Sequence, residues 1–381
     1  LIASKNIKVT GVDIHQHVVD TINKGEIHIV EPDLYGLVHH VVKENHLIAS
    51  TTPVEADVYL IAVPTPFKGD HEPDISYVES ATRAILPTLK EGTLVIIEST
   101  SPVGTTEKME HVIFTERPEL KGKIFMAYCP ERVLPGNVIH ELEHNDRAIG
   151  GVNEASTERA VWFYKHFVKG ELHKTNAKTA EMCKLVENSS RDVQIAFANE
   201  LSMICDEAGI NVWELIRLAN KHPRVNILQP GTGVGGHCIA VDPWFIVSEF
   251  PEQAKIIRTA REINNYKMEW VIEKIKNTAL QFEIANGKKP KIAIMGLAFK
   301  PNIDDLRESP AMKVYQSLKN QGLKLNAIEP NLKTHPNIEL IPYELALDTV
   351  DILVFLVAHK EFKSIKASTN KIFLDFCGNY K

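Results

Sequence analysis

Residues 177–208 read AKTAEMCKLVENSSRDVQIAFANELSMICDEA, a run of 32 residues without a proline that stops at Gly209. Glycine is the residue expected where a helix ends in the left-handed conformation. The run therefore predicts one helix, long enough to connect two domains. Upstream of it, short β-rich runs alternate with longer mixed stretches, the pattern of strands and crossover helices in a parallel sheet. The candidate strands are Ile7–Ile14, Asp57–Val63, Thr93–Glu98, Lys123–Tyr128 and Asp146–Gly150. Downstream, a second proline-free helical run covers Glu252–Ala285 and ends in the breaker cluster Asn286-Gly287-Lys288-Lys289-Pro290. Strand and helix patterns then restart with Lys291–Met295, a helix opened by Ser309-Pro310, and strands at Lys324–Ile328, Asp351–Val357 and Lys371–Phe376. The expected fold is α/β, with two Rossmann-like parallel-sheet domains joined by a long-helix central domain. The boundaries fall at 1–176, 177–286 and 287–381.

Composition excludes several classes. A chain of 381 residues holds two or three domains at roughly 150 residues each. Its 44% apolar and 24% charged residues are those of an ordinary globular protein, not of a disordered or collagen-like one. Lys and Arg number 43 against 49 Asp and Glu, a net charge of −6 with no basic block, so nucleic acid is not an expected partner. No stretch reaches the roughly 18 apolar residues that span a bilayer, and the first residues lack a signal-peptide layout, so a cytoplasmic protein without membrane insertion is expected. Cys129, Cys183, Cys205, Cys238 and Cys377 are odd in number, widely spaced and never Cys-x-x-Cys, which argues against a disulfide framework and against a structural metal.

Asp13 ends the first predicted strand. An acidic residue at the tip of the second strand of a dinucleotide-binding unit accepts hydrogen bonds from the adenosine ribose and repels a 2′-phosphate, so NAD is expected over NADP. The glycine loop that normally precedes such an acid by about 20 residues would lie upstream of Leu1, and the first strand and that loop are expected there. Val63-Pro64-Thr65-Pro66 and Glu98-Ser99-Thr100-Ser101-Pro102 follow apolar runs, where ligands bind in open α/β sheets; Pro-terminated strands with helix caps explain them equally. Gly231-Thr232-Gly233-Val234-Gly235-Gly236 matches the dinucleotide spacing, but Pro230 stands where a strand should and Pro243 soon follows. Its glycines are expected to let backbone amides approach a ligand or oxyanion just before His237-Cys238, the other reading being a flexible turn beside a buried cysteine. On the long helix Lys184, Asn188 and Arg191 share one face, as a polar ligand site or as a solvated stripe in which Glu187 pairs with Arg191. Tyr128-Cys129-Pro130-Glu131-Arg132-Val133 places a carboxylate and a guanidinium after a strand.

Four segments in this order resemble the UDP-glucose/GDP-mannose dehydrogenase family: Pro130 to Gly136, Ala180 to Asn188, Gly231 to Cys238 with Asp242-Pro243, and Gly296-Leu297-Ala298-Phe299-Lys300-Pro301 through Asp304 to Pro310. Within the family, residues 222–230 and 239–247 resemble the bacterial branch that acts on UDP-N-acetyl-D-mannosamine. The resemblance implies oxidation of a sugar C6 alcohol to the carboxylate with two NAD⁺. An aldehyde cannot release a second hydride until a nucleophile makes its carbon tetrahedral, and Cys238 would be that nucleophile, passing through a thiohemiacetal and a thioester. Lys184 and Asn188 would stabilise the oxyanion or hold water, and either Asp242 or Glu131 would activate the hydrolytic water. The resemblance assigns Arg132, Val133, Lys184, Asn188, Arg191, His222, Arg224, Gly235, Phe299 and Lys300 to the nucleotide-sugar pocket, and Thr65, Thr100, Thr106 and Arg307 to the neighbourhood of NAD. It also implies UDP binding by the last domain and a homodimer through the long helices, with His222 and Arg224 reaching the partner's site.

Three other readings stay open on the sequence, the first being the same chemistry on another UDP- or GDP-sugar. A hydroxyacid dehydrogenase of 6-phosphogluconate type shares a Rossmann domain and long helices but needs no thiol and yields one NADH per substrate. A noncatalytic nucleotide-sugar sensor would keep the pocket without the chemistry, against which stand both Cys238 and Lys184.

Overall fold

The computed structural model describes every residue except 28–30, 32, 70, 134–135, 237, 366–369 and 380–381; His237 and the Leu134-Pro135 part of the first motif therefore lie outside the described residues. The chain divides into two compact units, Leu1–Val186 and Glu187–Lys381.

In the first unit, β1 (Val9–Val12) and β2 (Leu47–Ser50) pair in parallel, with α1 (Gln16–Asn23) and α2 (Leu34–Lys43) between them. A five-stranded sheet follows, in the order β3 (Val58–Ile61), β6 (Leu94–Ile97), β7 (Phe125–Tyr128), β8 (Arg147–Gly151), β9 (Leu172–Asn176). A two-residue hairpin, β4 (Phe67–Lys68) with β5 (Glu72–Pro73), sits in the β3 crossover. Four helices connect the strands: α3 (Ser76–Ile85), α4 (Thr105–Glu116), α5 (Val138–His144) and α6 (Glu154–Tyr164). All four residues of β6 are buried, which is why Leu94-Val95-Ile96-Ile97 reads as an unbroken apolar run. One face of the sheet packs Val95, Ile97 and Met126 against Met109 and Ile113 of α4; the other packs Leu94, Ile96 and Ala127 against Ala160, Val161 and Tyr164 of α6.

Apart from β8, which is shifted by one residue, the strands are shorter than their predicted runs, and three further features differ from the sequence reading. The strand β2 carries only the four-residue run Leu-Ile-Ala-Ser, and β9 reads Leu-His-Lys-Thr-Asn with no buried residue, so neither left an apolar signature. The sheet is also not wholly parallel: β8 runs antiparallel to β7 and parallel to β9.

The helix α7 (Ala177–Ala208) has the bounds read from sequence and contributes residues 177–186 to the first unit and 187–208 to the second. Gly209 closes it at φ +67°. In the second unit follow α8 (Val212–Ala219), capped by the Asn211 side chain, α9 (Asp242–Glu249) and α10 (Lys255–Asn286), which ends at Gly287 with φ +66°. A fully parallel sheet then forms in the order β11 (Leu325–Ile328), β10 (Ile292–Met295), β12 (Ile352–Phe355), β13 (Ile372–Asp375). Val271 and Ile275 of α10 and residues of α11 (Pro310–Asn320) cover one face; Ala346 of α12 (Tyr343–Thr349) and Phe362 cover the other. Ser309 accepts the Met312 amide at 3.2 Å with Pro310 in the first turn, the expected start of α11.

Candidate active site

In the first unit several candidate residues follow the carboxyl ends of strands, where open α/β folds bind ligands. Asp13 directly follows β1 and its carboxylate accepts the His15 amide at 2.8 Å. Thr65 and Thr100 follow the neighbouring strands β3 and β6 and are joined there, the Thr65 hydroxyl donating to the Thr100 carbonyl at 2.7 Å. An acid at a strand tip and hydroxyls at the carboxyl ends of parallel strands are the groups a dinucleotide takes. Thr106 sits differently: it is fully buried and its hydroxyl donates to Glu181 at 2.6 Å. Glu181 also accepts the Gly104 and Thr106 amides at 2.5 and 2.8 Å, so the amino end of α4 is already capped by a protein carboxylate. Burial pushes the Glu181 carboxyl up, against the pull of these donors.

Glu131 and Lys184 meet in this unit. The Glu131 carboxylate folds back to accept the amides of Arg132 and Val133 at 2.6 and 2.9 Å, while Lys184 Nζ donates to the Glu131 carbonyl at 2.6 Å. The exposed Arg132 donates to the Asp146 carbonyl at 3.2 Å. Behind this loop lies a buried cluster that has no local signature in the sequence. Tyr164 donates to Glu98, and Arg147 stands 5.1 Å from the Tyr164 ring and 3.9 Å from Cys129 Sγ. Burial pushes the Cys129 thiol up to about 11 and raises the Glu98 carboxyl, which leaves Cys129 an inert core residue.

The second unit brings Asn188, Cys238 and Asp242 into one neighbourhood. The carbonyl of Cys238 accepts the amides of Val241 and Asp242 at 3.0 and 2.9 Å, a single turn that leads into α9. Asp242, 3% exposed in the first turn of α9, accepts Asn188 Nδ2 at 2.6 Å. Its carboxylate faces the positive end of that helix. Cys238 is the exposed cysteine of the five, as a nucleophile must be. Arg191 is exposed one turn beyond Asn188. His222 and Arg224 stand on an exposed loop stapled at its base by Asn220, whose side chain exchanges hydrogen bonds of 2.9 and 2.7 Å with Ile227.

The loop at 231–236 follows no strand, and its glycines do more than the sequence reading gave them. The Gly231 amide, expected to face a ligand, donates instead to Asn199 Oδ1 at 2.9 Å. Gly235 is a packing glycine: a Cβ there would fall 2.7 Å from the Glu308 carbonyl and 2.7 Å from Pro310 Cδ. Thr232 donates to the Leu356 carbonyl at 2.8 Å and so ties the loop to the end of β12. The result is a cavity of about 240 Å³ walled by Gln229–Gly233, by Ala298–Pro301 beyond β10 and by Leu356–Ala358 beyond β12. Sheet order reverses between β10 and β12, so this cavity occupies the switch point at which α/β sheets take ligands. Phe299 and Lys300 line it, with Lys300 Nζ 5.7 Å from the Phe299 ring; Arg307, on the approach to α11, is held by Asp305 at 2.6 Å.

The chain is similar along most of its length to known proteins. Models of the UDP-glucose/GDP-mannose dehydrogenase family match residues 1–168 (NAD binding domain), 178–266 (central domain) and 293–380 (UDP binding domain). The UDP-N-acetyl-D-mannosamine dehydrogenase of Escherichia coli strain K12 is 58% identical over 381 residues, covering 95% of this chain and 90% of that protein. The NDP-N-acetyl-D-galactosaminuronic acid dehydrogenase of Ralstonia nicotianae is 54% identical over 378 residues, covering 96% and 88%. Among solved structures, the UDP-D-ManNAc dehydrogenase of Pyrococcus horikoshii superposes with a TM-score of 0.88 at 38% identity, over 100% of this chain and 92% of that one. Three successive domain matches and relatives this similar along nearly the whole chain make the protein a member of the UDP-glucose/GDP-mannose dehydrogenase family, with NAD as its cofactor.

Proposed function

We propose that the protein oxidises C6 of UDP-N-acetyl-D-mannosamine to the uronate, in two stages, with Cys238 as the covalent nucleophile. The observation that carries the reading is the setting of Cys238: an exposed thiol one turn before α9, beside an Asp242 carboxylate held by Asn188. Asp13, Thr65 and Thr100, together with Arg307, would hold NAD⁺, which would accept one hydride at each of the two stages. Cys238 Sγ adds to the aldehyde carbon, the carbonyl electron pair moves to oxygen, and the resulting oxyanion is steadied by Lys184 Nζ and protonated. Once that carbon has given up its hydride and its hydroxyl proton, the Cys238 thioester remains. Asp242 or Glu131 takes a proton from water, whose oxygen displaces Cys238 Sγ and frees the carboxylate. Asn188 orients the Asp242 carboxylate or its water. Arg132, Val133, Arg191, Gly235, Phe299 and Lys300 hold the nucleotide sugar, the cations addressing the diphosphate. Thr106, with its hydroxyl spent on Glu181, serves the cofactor site by fixing the loop after Thr100.

The assembly in this proposal is a homodimer through the long central helices, in the cytoplasm, where nucleotide sugars and NAD are found. Phe197 and Ile204, two turns apart on α7, are 56% and 55% exposed, and Leu218 on α8 is 54% exposed. Apolar residues of that size left open on helices mark a surface that a partner covers. His222 and Arg224, on the exposed loop, then reach the partner's site.

The thiol is tested by Cys238→Ser, which keeps the volume of the pocket and removes a nucleophile ionisable near neutral pH. UDP-N-acetyl-D-mannosamine should still bind, while uronate formation falls by roughly 10³-fold or more. Near-normal uronate production by the variant would remove Cys238 from the chemistry.

A further inference from the structure

Glu329 stands directly after β11, at the tip of the second strand of the C-terminal sheet. In a dinucleotide-binding unit the loop after the first strand offers its amides to a pyrophosphate, and the acid at the tip of the second strand accepts a ribose hydroxyl. Here these two features are spent on each other. Glu329 Oε2 accepts the amides of Leu297 and Ala298, just beyond β10, at 2.8 and 2.9 Å. The same oxygen lies 3.0 Å from His359 Nε2, and Oε1 accepts the Asn331 amide at 3.1 Å. The Leu297 and Ala298 amides are therefore already taken, and side chains remain to meet a diphosphate at this edge.

His359 completes the arrangement from the other side. It is fully buried, and its Nδ1 accepts the Asn302 amide at 3.0 Å, so the proton on Nε2 is the one offered to Glu329. The Asn302 side chain in turn accepts the Lys360 amide at 2.9 Å. The buried pair thus grips both ends of one strap: Glu329 holds residues 297 and 298, and His359 holds residue 302. Between the grips lie Phe299, Lys300 and Pro301, which line the cavity, whereas Glu329 and His359 do not reach it. Burying a carboxylate and an imidazole is costly unless every lone pair and proton is matched, as here, and apolar residues would stabilise the sheet equally well. What apolar residues would not supply is the set of directed bonds that fixes the strap.

We infer that Glu329 and His359 are positioning residues for the nucleoside diphosphate: they set the Phe299-Lys300 strap across the cavity without touching the ligand. This rests on the reading of the cavity beyond β10 and β12 as the nucleotide seat.

Steady-state kinetics of the full chain with UDP-N-acetyl-D-mannosamine and NAD⁺ test it, comparing the parent with Glu329→Gln, His359→Asn and Lys300→Ala and recording the thermal melt of each. Glu329→Gln is isosteric and serves as the test if His359→Asn does not fold. Both positioning variants, like Lys300→Ala, should raise KM for the sugar nucleotide about tenfold, with kcat within about threefold and KM for NAD⁺ unchanged. A folded Glu329→Gln with the parent's KM, alongside a raised KM in Lys300→Ala, would overturn the positioning role alone. Equal losses in kcat and in both KM values would reduce the pair to general support and also overturn it. An unchanged KM in Lys300→Ala would show that the cavity is not the nucleotide seat, and the inference would fall with that reading.

Discussion

Lys267 shows how far one side chain can be displaced from its ordinary chemistry. Only 2% of it is exposed, its amine donates to Ser202 at 2.7 Å, and it lies 3.8 Å from the centre of the Trp270 ring. Burial lowers its pKa to about 7, with Asp206 pulling weakly the other way. Between pH 7 and the ordinary lysine value the unfolded chain then carries the proton and the folded chain does not, so stability rises with pH through that window. Below pH 7 both states are charged and the cost of burying the ammonium stands in full. Lys267→Met should abolish this rise: denaturant unfolding from pH 7 to 10 should show the parent gaining stability relative to the variant, and parallel profiles would contradict the assignment. The sequence marks Lys267 only as one more cation on a helix. Its burial comes from how α10 packs, which no local pattern reports.

Between the elements α7 and α10 the same principle works through pairs. Asp192 accepts Arg261 at 2.6 Å and Asn264 at 2.8 Å; Asn264 Oδ1 then accepts Asn199, whose own oxygen holds the Gly231 amide. A chain of buried polar groups thus runs from the helix pair to the loop that leads to Cys238. Asp192→Ala leaves the buried Arg261 guanidinium without a counter-ion, only the neutral Asn265 amide remaining, and should cost about 3–5 kcal/mol in chemical denaturation, whereas the double variant Asp192→Leu/Arg261→Met should recover most of it. If the single variant loses under about 1 kcal/mol, the pair is not the anchor described. The two long helices, both β-rich regions and the breaker at 286–290 were legible because period, apolar runs and turn residues are local signals. The polar β9, the antiparallel β8 and the Asn199 anchor were not, since each depends on a neighbour distant in sequence. Of the candidate site, the motifs singled out Cys238, Asp242, Asn188, Glu131 and Lys184, whereas the bonds that hold Asp242 to Asn188 and Lys184 to the Glu131 carbonyl carry no mark in the sequence. The buried partners Glu181, Glu329 and His359 received no role from the sequence, because a carboxylate that binds backbone amides carries no spacing rule.

At the scale of the whole molecule, a homodimer in which Arg224 serves the partner's site makes a prediction that no single subunit could satisfy. Arg224→Ala mixed with Cys238→Ala should regain activity as subunits exchange, because one site of each hybrid then holds both native residues. No recovery after demonstrated exchange would put Arg224 in its own chain's site or in none. The relatives' names divide between UDP-N-acetyl-D-mannosamine dehydrogenase and NDP-N-acetyl-D-galactosaminuronic acid dehydrogenase, so the sugar and the electron count have to be read together. The most direct measurement offers the full chain a panel of UDP- and GDP-sugars with NAD⁺ and counts NADH formed per sugar consumed. The account predicts two NADH and one uronate for each UDP-N-acetyl-D-mannosamine, and little turnover of the other sugars. One NADH per sugar with an aldehyde or ketone as the product, or no turnover of UDP-N-acetyl-D-mannosamine by protein that binds NAD⁺, would contradict it.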